Sequence, residues 1–318
     1  MHVAASAPGV LLYGSSSTFS QLTWFDRAGN NVGVVGEPGE YPMLRLSPDG
    51  RRVAVARVRA GSSDLWLLDV ERRGVASKLT SSGANTFPVW SPDGRTIVFS
   101  SGLLRGLFRK ESSGAGNEQR LTQSPINQFG NDWSRDGRFV LYEEITPDSG
   151  RDLWVLPVTS EGNRTPAGTP SAYVRTPSYE RHGRFSPESP PRWVAYQSDE
   201  TGRNEVYIQA FPEPRGPIPI STGGGQYPAW GAGGRELFYV SPDNKLMAVS
   251  LKLGGDSVVP STPRELFPLP IVDTGRPPYD AASDGQRFLV RATPGQAGQS
   301  LTVIVNWPAL LKKGPGAP

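Results

Sequence analysis

The sequence predicts an all-β fold, a β-propeller of four-stranded antiparallel blades, with seven blades by the count of its repeats. Three observations predict it. A turn of the type Ser-Pro-Asp-Gly recurs along the 318-residue chain, at about 40–50 residues, the spacing at which self-similarity implies blades. Each turn leads into a short β-branched or aromatic run bounded by turn residues, which is how a buried strand reads. No stretch before residues 308–313 carries a useful helical period, so no crossover helices separate the strands.

In chain order the turns are Ala7-Pro8-Gly9, Ser47-Pro48-Asp49-Gly50, Ser91-Pro92-Asp93-Gly94, Ser134-Arg135-Asp136-Gly137, Ser186-Pro187-Glu188-Ser189, the worn Ala232-Gly233-Gly234, and Ser283-Asp284-Gly285. In the full motif proline presets φ at the first central position and glycine accepts the positive φ that follows. After the turns come strands at 10–13, 53–56, 97–99, 139–142, 193–196, 237–240 and 288–290. Third strands follow at 22–25, 64–69, 106–109, 152–156, 205–209, 245–249 and 301–305. A more polar fourth strand reads as an outer edge at 76–80, 119–122 and 218–221. Pro217 and Pro219 fit only there, where a missing N–H faces water.

The repeats run at 1–39, 40–82, 83–125, 126–171, 172–222, 223–272 and 273–311, forming one domain over 1–311 with a disordered tail at 312–318. The first repeat begins inside its innermost strand, near 3–6, and the last stops after its third strand. The last blade is therefore expected to be incomplete, and residues upstream are expected in the natural gene product, because a closed ring borrows a strand from the other terminus. The alternative is that the termini merge into one blade and the ring has six.

Composition narrows the function classes. Gly 37 and Pro 31 supply many tight turns, while eight Trp, ten Tyr and twelve Phe supply a core. The formal charge is only +3, and the arginines are scattered rather than striped, so no nucleic-acid face is expected. With no cysteine there are no disulfides, no thiolate catalysis and no Cys-ligated zinc. No apolar run reaches the ~18 residues of a membrane span. The segment 1–5 lacks the charged and apolar regions of a signal peptide, and the compartment stays open on the residues alone.

The repeats Trp90-Ser91-Pro92-Asp93-Gly94-Arg95 and Leu46-Ser47-Pro48-Asp49-Gly50-Arg51 resemble the WD-like repeats of TolB-type propellers. The chain as a whole resembles more closely the propeller that follows the kinase domain in bacterial sensor-type serine/threonine kinases. That likeness rests on segments 22–29, 152–157, 205–212, 221–225 and 303–307. The resemblance implies a propeller held outside the membrane, with a kinase domain and a spanning helix upstream. This chain itself has no His-Arg-Asp, no Asp-Phe-Gly and no Gly-rich phosphate loop, so it carries no phosphotransfer.

The remaining candidates are weighed residue by residue. Gly14-Ser15-Ser16-Ser17 and Gly61-Ser62-Ser63 lack the second glycine of a nucleophile elbow, and only His2 and His182 exist to serve a triad. His182 stands in an inner strand, where it reads as a channel-facing base or, more simply, as a satisfied buried polar residue. Gly223-Gly224-Gly225 precedes a strand rather than a helix, so it reads as a connection between blades. Asn85, Asn127, Asn131, Asp132 and Glu180 are placed to try an axial metal, with Asn131, Asp132 and Glu180 the metal candidates, but amides outnumber acids. Tyr41, Phe87, Phe129, Tyr179, Tyr227 and Tyr279 fall ahead of successive turns, near one mouth of the channel. With His182 they form the candidate ligand-binding set, and the same rings also suit packing of blade on blade. The expectation is a non-catalytic module that binds or senses a protein or peptide, with no cofactor. The alternatives are a lactonase-like metal-dependent hydrolase at the axis and a structural spacer.

Overall fold

A computed structural model of the chain describes residues 2–5, 10–14, 19–146, 149–159, 166–254, 257–294 and 301–305, the first two segments and the last as backbone alone. The turn at 7–9, the helical turn expected at 308–313 and the tail at 312–318 lie outside the described residues.

The described chain is a propeller of six blades, which corrects the count of seven. Blade 1 comprises Met43–Leu46, Arg52–Arg59, Ser62–Asp69 and Ala76–Lys78. Blade 2 comprises Asn85–Trp90, Thr96–Ser101, Leu107–Glu111 and Gln119–Arg120. Blade 3 comprises Gln128–Trp133, Phe139–Thr146, Gly150–Pro157 and Ser171–Val174. Blade 4 comprises Arg181–Phe185, Trp193–Ser198, Glu205–Ala210 and Ile218–Pro219. Blade 5 comprises Gln226–Gly231, Glu236–Val240, Lys245–Gly254 and Arg264–Pro268, with Ser257–Pro260 paired to the far half of its long third strand.

Blade 6 overturns the sequence count. Its two inner strands, Tyr279–Ala281 and Arg287–Ala292, come from the C-terminal part, and its two outer strands, Phe19–Asp26 and Asn31–Glu40, from the N-terminal part. Arg287–Ala292 pairs in antiparallel register with Phe19–Asp26, from Arg287 opposite Asp26 to Ala292 opposite Gln21. The first and seventh repeats thus share one blade. A free edge on Arg287–Ala292 would present unpaired N–H and C=O groups, and the N-terminal strand covers it. The blade read as incomplete is complete. Val10–Gly14 and Leu301–Val305, read as propeller strands, instead pair with each other, and with His2–Ala5 they make a separate three-stranded sheet.

Six buried apolar clusters, one at each junction between neighbouring blades, hold the ring. Val53 and Val55 belong to the cluster shared with blade 6, whereas Ala54 and Ala56 belong to the one shared with blade 2. Successive residues of a strand point to opposite faces, and both faces are covered, so the second strands have continuous apolar centres, as at 53–56 and 97–99. Trp90, Trp133 and Trp193 are buried, and Trp66, Trp154 and Trp230 are partly buried against the clusters.

Each full turn is fastened by its own side chains. Ser47 Oγ bonds Asp49 Oδ1, Asp49 Oδ1 accepts the Arg51 N–H at 3.1 Å, and Ser47 Oγ accepts the Arg52 N–H at 2.9 Å. Ser91–Asp93 and Ser134–Asp136 repeat the arrangement, and Gly50 and Gly94 sit at φ +70° and +69°. These bonds close the end where the inner strands finish, called here the turn end.

Candidate functional site

The inner strands run from a bulge end to the turn end. At the turn end the axis widens into a cavity of about 610 Å³. Its floor is set by one position of the repeat, five residues before the last residue of each turn. Around the ring that position holds Arg45, Val89, Asp132, Arg184, Ala229 and Asp280. Across six blades arginine stands opposite arginine, aspartate opposite aspartate, and a small apolar residue opposite another. Arg45, Asp132, Arg184 and Asp280 all line the cavity.

Asp280 Oδ1 lies 3.8 Å from Arg45 Nη1 and 3.5 Å from Arg184 Nη2. Each aspartate also grips the next blade: Leu46 N–H donates to Asp280 Oδ2 at 2.9 Å, and Phe185 N–H donates to Asp132 Oδ2 at 2.8 Å. Arg45 Nη2 donates to the Asn131 carbonyl. Burial pushes the Asp132 carboxyl up to about 6, against the pull of Arg45 and two backbone N–H groups. Burial raises Asp280 as well, again against Arg45. The floor is a neutral set of four charges, held where water is scarce.

The bulge end is built differently. The inner strands of blades 2, 3, 4 and 5 each slip register against their neighbour. At the slip Phe87, His182 and Tyr227 sit at φ +52°, +57° and +58°, a region that large side chains rarely adopt. A bulge leaves a backbone N–H without its ladder partner, and the preceding blade supplies one. Glu143 Oε1 accepts the His182 N–H at 2.7 Å, Gln197 Oε1 the Tyr227 N–H at 3.0 Å, and Ser100 Oγ the Gly130 N–H at 3.0 Å.

The candidate aromatic set divides. Tyr41, Phe87, Tyr227 and Tyr279 are all buried in junction clusters, with Phe129 partly buried against that of Phe87, and the Tyr41 and Tyr279 hydroxyls donate to the carbonyls of Glu37 and Tyr227. Tyr179 is 46% exposed and lies against Gly150. Phe87 and Phe129 come together, ring centroids 4.9 Å apart, and His182 and Tyr227 stand 5.1 Å apart. The Arg276 guanidinium lies 5.8 Å from the Phe87 ring and that of Arg151 4.8 Å from the Phe129 ring. Burial, then the charges of Arg181, Arg151 and Arg45, hold the His182 imidazole well below its ordinary value, so it is neutral near pH 7.

The metal candidates are kept apart by their own partners. Asp132 is at the turn-end floor, while Glu180 accepts from Thr176 Oγ1 at 2.6 Å and is pushed up to about 7 by burial. Asn131 donates to the Phe129 carbonyl at 2.9 Å and Asn85 to Asp64 at 3.2 Å. Among the described residues no three His, Asp or Glu side chains gather as a metal site would require. Gly224 of the glycine run gives its N–H to Glu205 at 2.9 Å. Sequence reasoning did not single out Arg45, Arg184, Asp280, Glu143, Arg151 or Arg276. A repeat alignment read five places before the last residue of each turn would have found the first three.

No family model matches the chain. Two curated proteins are similar to parts of it. One is the uncharacterized peptidase YuxL of Bacillus subtilis strain 168, 30% identical over 106 residues, 30% of this chain and 16% of that protein. The other is the uncharacterized protein Atu1656 of Agrobacterium fabrum strain C58, 29% identical over 131 residues, 40% of this chain and 43% of that one. The chain thus spans less than half the length of either relative. Among solved structures, a TolB-like protein of Agrobacterium tumefaciens superposes with a TM-score of 0.65 at 17% identity, covering 87% of this chain and 99% of that one. An oligogalacturonate lyase in complex with manganese superposes at 0.56 with 13% identity, covering 96% and 81%. The fold is that of a TolB-like β-propeller. Among the described residues no helix is long and apolar enough to cross a membrane.

Proposed function

We propose that this chain is a non-catalytic recognition module whose bulge end receives a segment of a partner protein. One observation carries the reading. Phe87 and Phe129, from two adjacent blades, form a ring pair bordered by the Arg151 and Arg276 guanidiniums at the bulge end, with Phe87 buried and Phe129 the more accessible ring. Aromatic rings with arginines beside them are the residue types that dominate binding hot spots, and a ring of interlocked blades holds them in place without ordering cost on docking. The mechanism is presentation, with no bond made or broken.

A peptide-display selection on the intact chain tests it. Enriched peptides are expected to lose binding about tenfold on Phe129→Ala and to be indifferent to Val259→Ala, an exposed residue of the blade 5 hairpin. Selection of nothing, or of peptides that ignore Phe129→Ala, overturns the reading.

The proposal extends to context: the module senses on behalf of a serine/threonine kinase domain encoded ahead of it. Support comes from the resemblance of segments 22–29, 152–157 and 205–212 to kinase-linked propellers. Sequencing the gene upstream of Met1 is expected to find a kinase domain followed by a spanning helix, and a coding region without a kinase domain removes this half of the proposal.

A further inference from the structure

The bulge end gathers arginines around its ring pairs, and not all of them have an anionic partner. Arg151, Arg181, Arg276 and Arg291 all act on one another or on His182 there. Among the described residues, the carboxylates bonded to members of this cluster are Glu143 and Asp273, while Asp152 and Glu180, beside Arg151 and Arg181, turn to Ser149, Arg175 and Thr176. Glu143 is already engaged, Oε1 by the His182 N–H and Oε2 by Arg151 Nη1 at 3.0 Å. Asp273 Oδ1 is taken by the Tyr227 hydroxyl and the Gly275 N–H, both at 2.8 Å.

The arginines are unequally provided for. Arg291 donates to the carbonyls of Tyr41, Pro277 and Arg276 and to Thr274 Oγ1, which fixes the loop before blade 6. Arg181 reaches Asn204 Oδ1 only at 3.4 Å, and its buried Nε has no partner among the described residues. The Arg276 side chain makes no hydrogen bond or ion pair to any described residue; it lies over Phe87, near enough to Arg151 for each charge to disfavour the other. A partly buried cation without an anion is costly, and here two like charges border one ring pair. Such an arrangement is relieved by an anion that arrives from outside.

We propose that the bulge end takes a carboxylate-bearing stretch of polypeptide, with an aspartate or glutamate side chain seated between Arg276 and Arg151 against the Phe87–Phe129 pair. The inference rests on the recognition reading above and names the chemistry of the partner segment. Guanidinium pairs with carboxylate through two parallel hydrogen bonds, and acidic-motif capture by arginine clusters is a recurring mode of peptide binding. A polypeptide is favoured over a uronic-acid oligosaccharide or a nucleic acid because the two rings are inclined by 54°, which leaves no flat platform for a sugar or base to stack upon.

The probe is a capped hexaglutamate peptide, titrated calorimetrically into the intact chain beside capped hexaglutamine, hexalysine and a hexameric uronic-acid oligosaccharide. Hexaglutamate is expected to bind, to weaken as salt rises, and to lose about tenfold in affinity on Arg276→Gln, with Arg276→Lys recovering only part of it because an ammonium lacks the paired N–H fork. Arg215→Gln, at an exposed arginine of the blade 4 edge, is expected to change nothing. Equal binding of hexaglutamine, or hexaglutamate binding unaffected by Arg276→Gln, overturns the inference, and so does preference for the oligosaccharide. Display-selected peptides that depend on Phe129 yet ignore Arg276→Gln would leave the recognition reading standing and remove only the acidic one.

Discussion

Asp280→Ala is expected to cost about 3–5 kcal/mol, the scale for removing one member of a buried charge set, and to lower the unfolding temperature by about 10 °C. Two losses combine. The Leu46 N–H loses its acceptor inside the ring, and Arg45 and Arg184, whose side chains are only 12% and 13% exposed, lose the carboxylate they share. Asp280→Asn keeps an acceptor for Leu46 and should cost about half as much. If the charge set acts as argued, replacing Asp280, Arg45 and Arg184 together by apolar residues recovers most of the loss, since buried ion sets exchanged for packed side chains are often neutral. Urea unfolding followed by tryptophan fluorescence measures all three. A loss below 1 kcal/mol for Asp280→Ala would show that the floor is not a stabilising junction.

The same titration series, run across pH, separates the two aspartates. The folded-state Asp132 carboxyl titrates at about 6, above the ~3.9 of an unfolded chain. Between those values the folded protein holds a proton that the unfolded chain has released. Its contribution is therefore full below about pH 4 and is lost as pH rises through about 6, on the order of 2 kcal/mol. Asp132→Asn should flatten the wild-type profile in that window, and identical slopes would sink the assignment.

That ring of charges was hidden from the sequence by a counting error with a physical cause. The repeat aligned on Ala7-Pro8-Gly9 was counted as a blade of its own, yet its strand Phe19–Asp26 completes the blade begun by the seventh repeat. Counting it made seven repeats, and in a seven-fold ring no residue stands opposite its like. With six, Arg45 faces Arg184 and Asp132 faces Asp280 across the axis. The turns, the apolar second strands and the outer edges were legible because each depends on local chemistry: turn φ, strand period, missing N–H groups. The strand exchange in blade 6 was legible only as the alternative in which the termini merge into one blade, because pairing Phe19–Asp26 with Arg287–Ala292 is a contact across nearly the whole chain.

The bulge end was half legible. Aromatics ahead of the turns could be read as a set, but their offsets from the turn differ, so the backbone sends them to different places. Tyr41 and Tyr279 enter junction cores from backbone of ordinary φ, while Phe87, His182 and Tyr227 occupy one equivalent position in blades 2, 4 and 5 with left-handed backbone, from which Phe87 and Tyr227 also reach junction cores. Nothing in a phenylalanine, histidine or tyrosine announces positive φ, which a sequence normally signals with glycine or asparagine. The arginines that border the rings come from a third strand and from the loop before blade 6, and no local pattern joins Arg151 to Arg276.

Glu143→Ala is expected to cost about 3 kcal/mol and roughly 8 °C in unfolding temperature, because Glu143 joins blade to blade where the bulge breaks the ladder. It is fully buried; one oxygen holds the His182 N–H and the other holds Arg151. Alanine leaves a buried N–H unmet, with His182 still at φ +57°, and frees a guanidinium at a mouth already rich in them. The next blade shows which part of this needs charge. At the equivalent position Gln197 accepts the Tyr227 N–H at 3.0 Å through a neutral amide, so Glu143→Gln should lose less than about 1 kcal/mol. Equal loss for alanine and glutamine would mean that the ion pair to Arg151, and not the bulge N–H, is what Glu143 contributes. Ala56 and Val240 occupy the same place in blades 1 and 5 and offer no such bond, and those two junctions draw their polar contacts from elsewhere: Arg52 donates to the Gly94 carbonyl at 3.0 Å and Trp90 to the Arg45 carbonyl at 3.1 Å at the first, while Arg27 pairs with Glu236 at 2.7 Å and the Tyr279 hydroxyl reaches the Tyr227 carbonyl at 3.0 Å at the second.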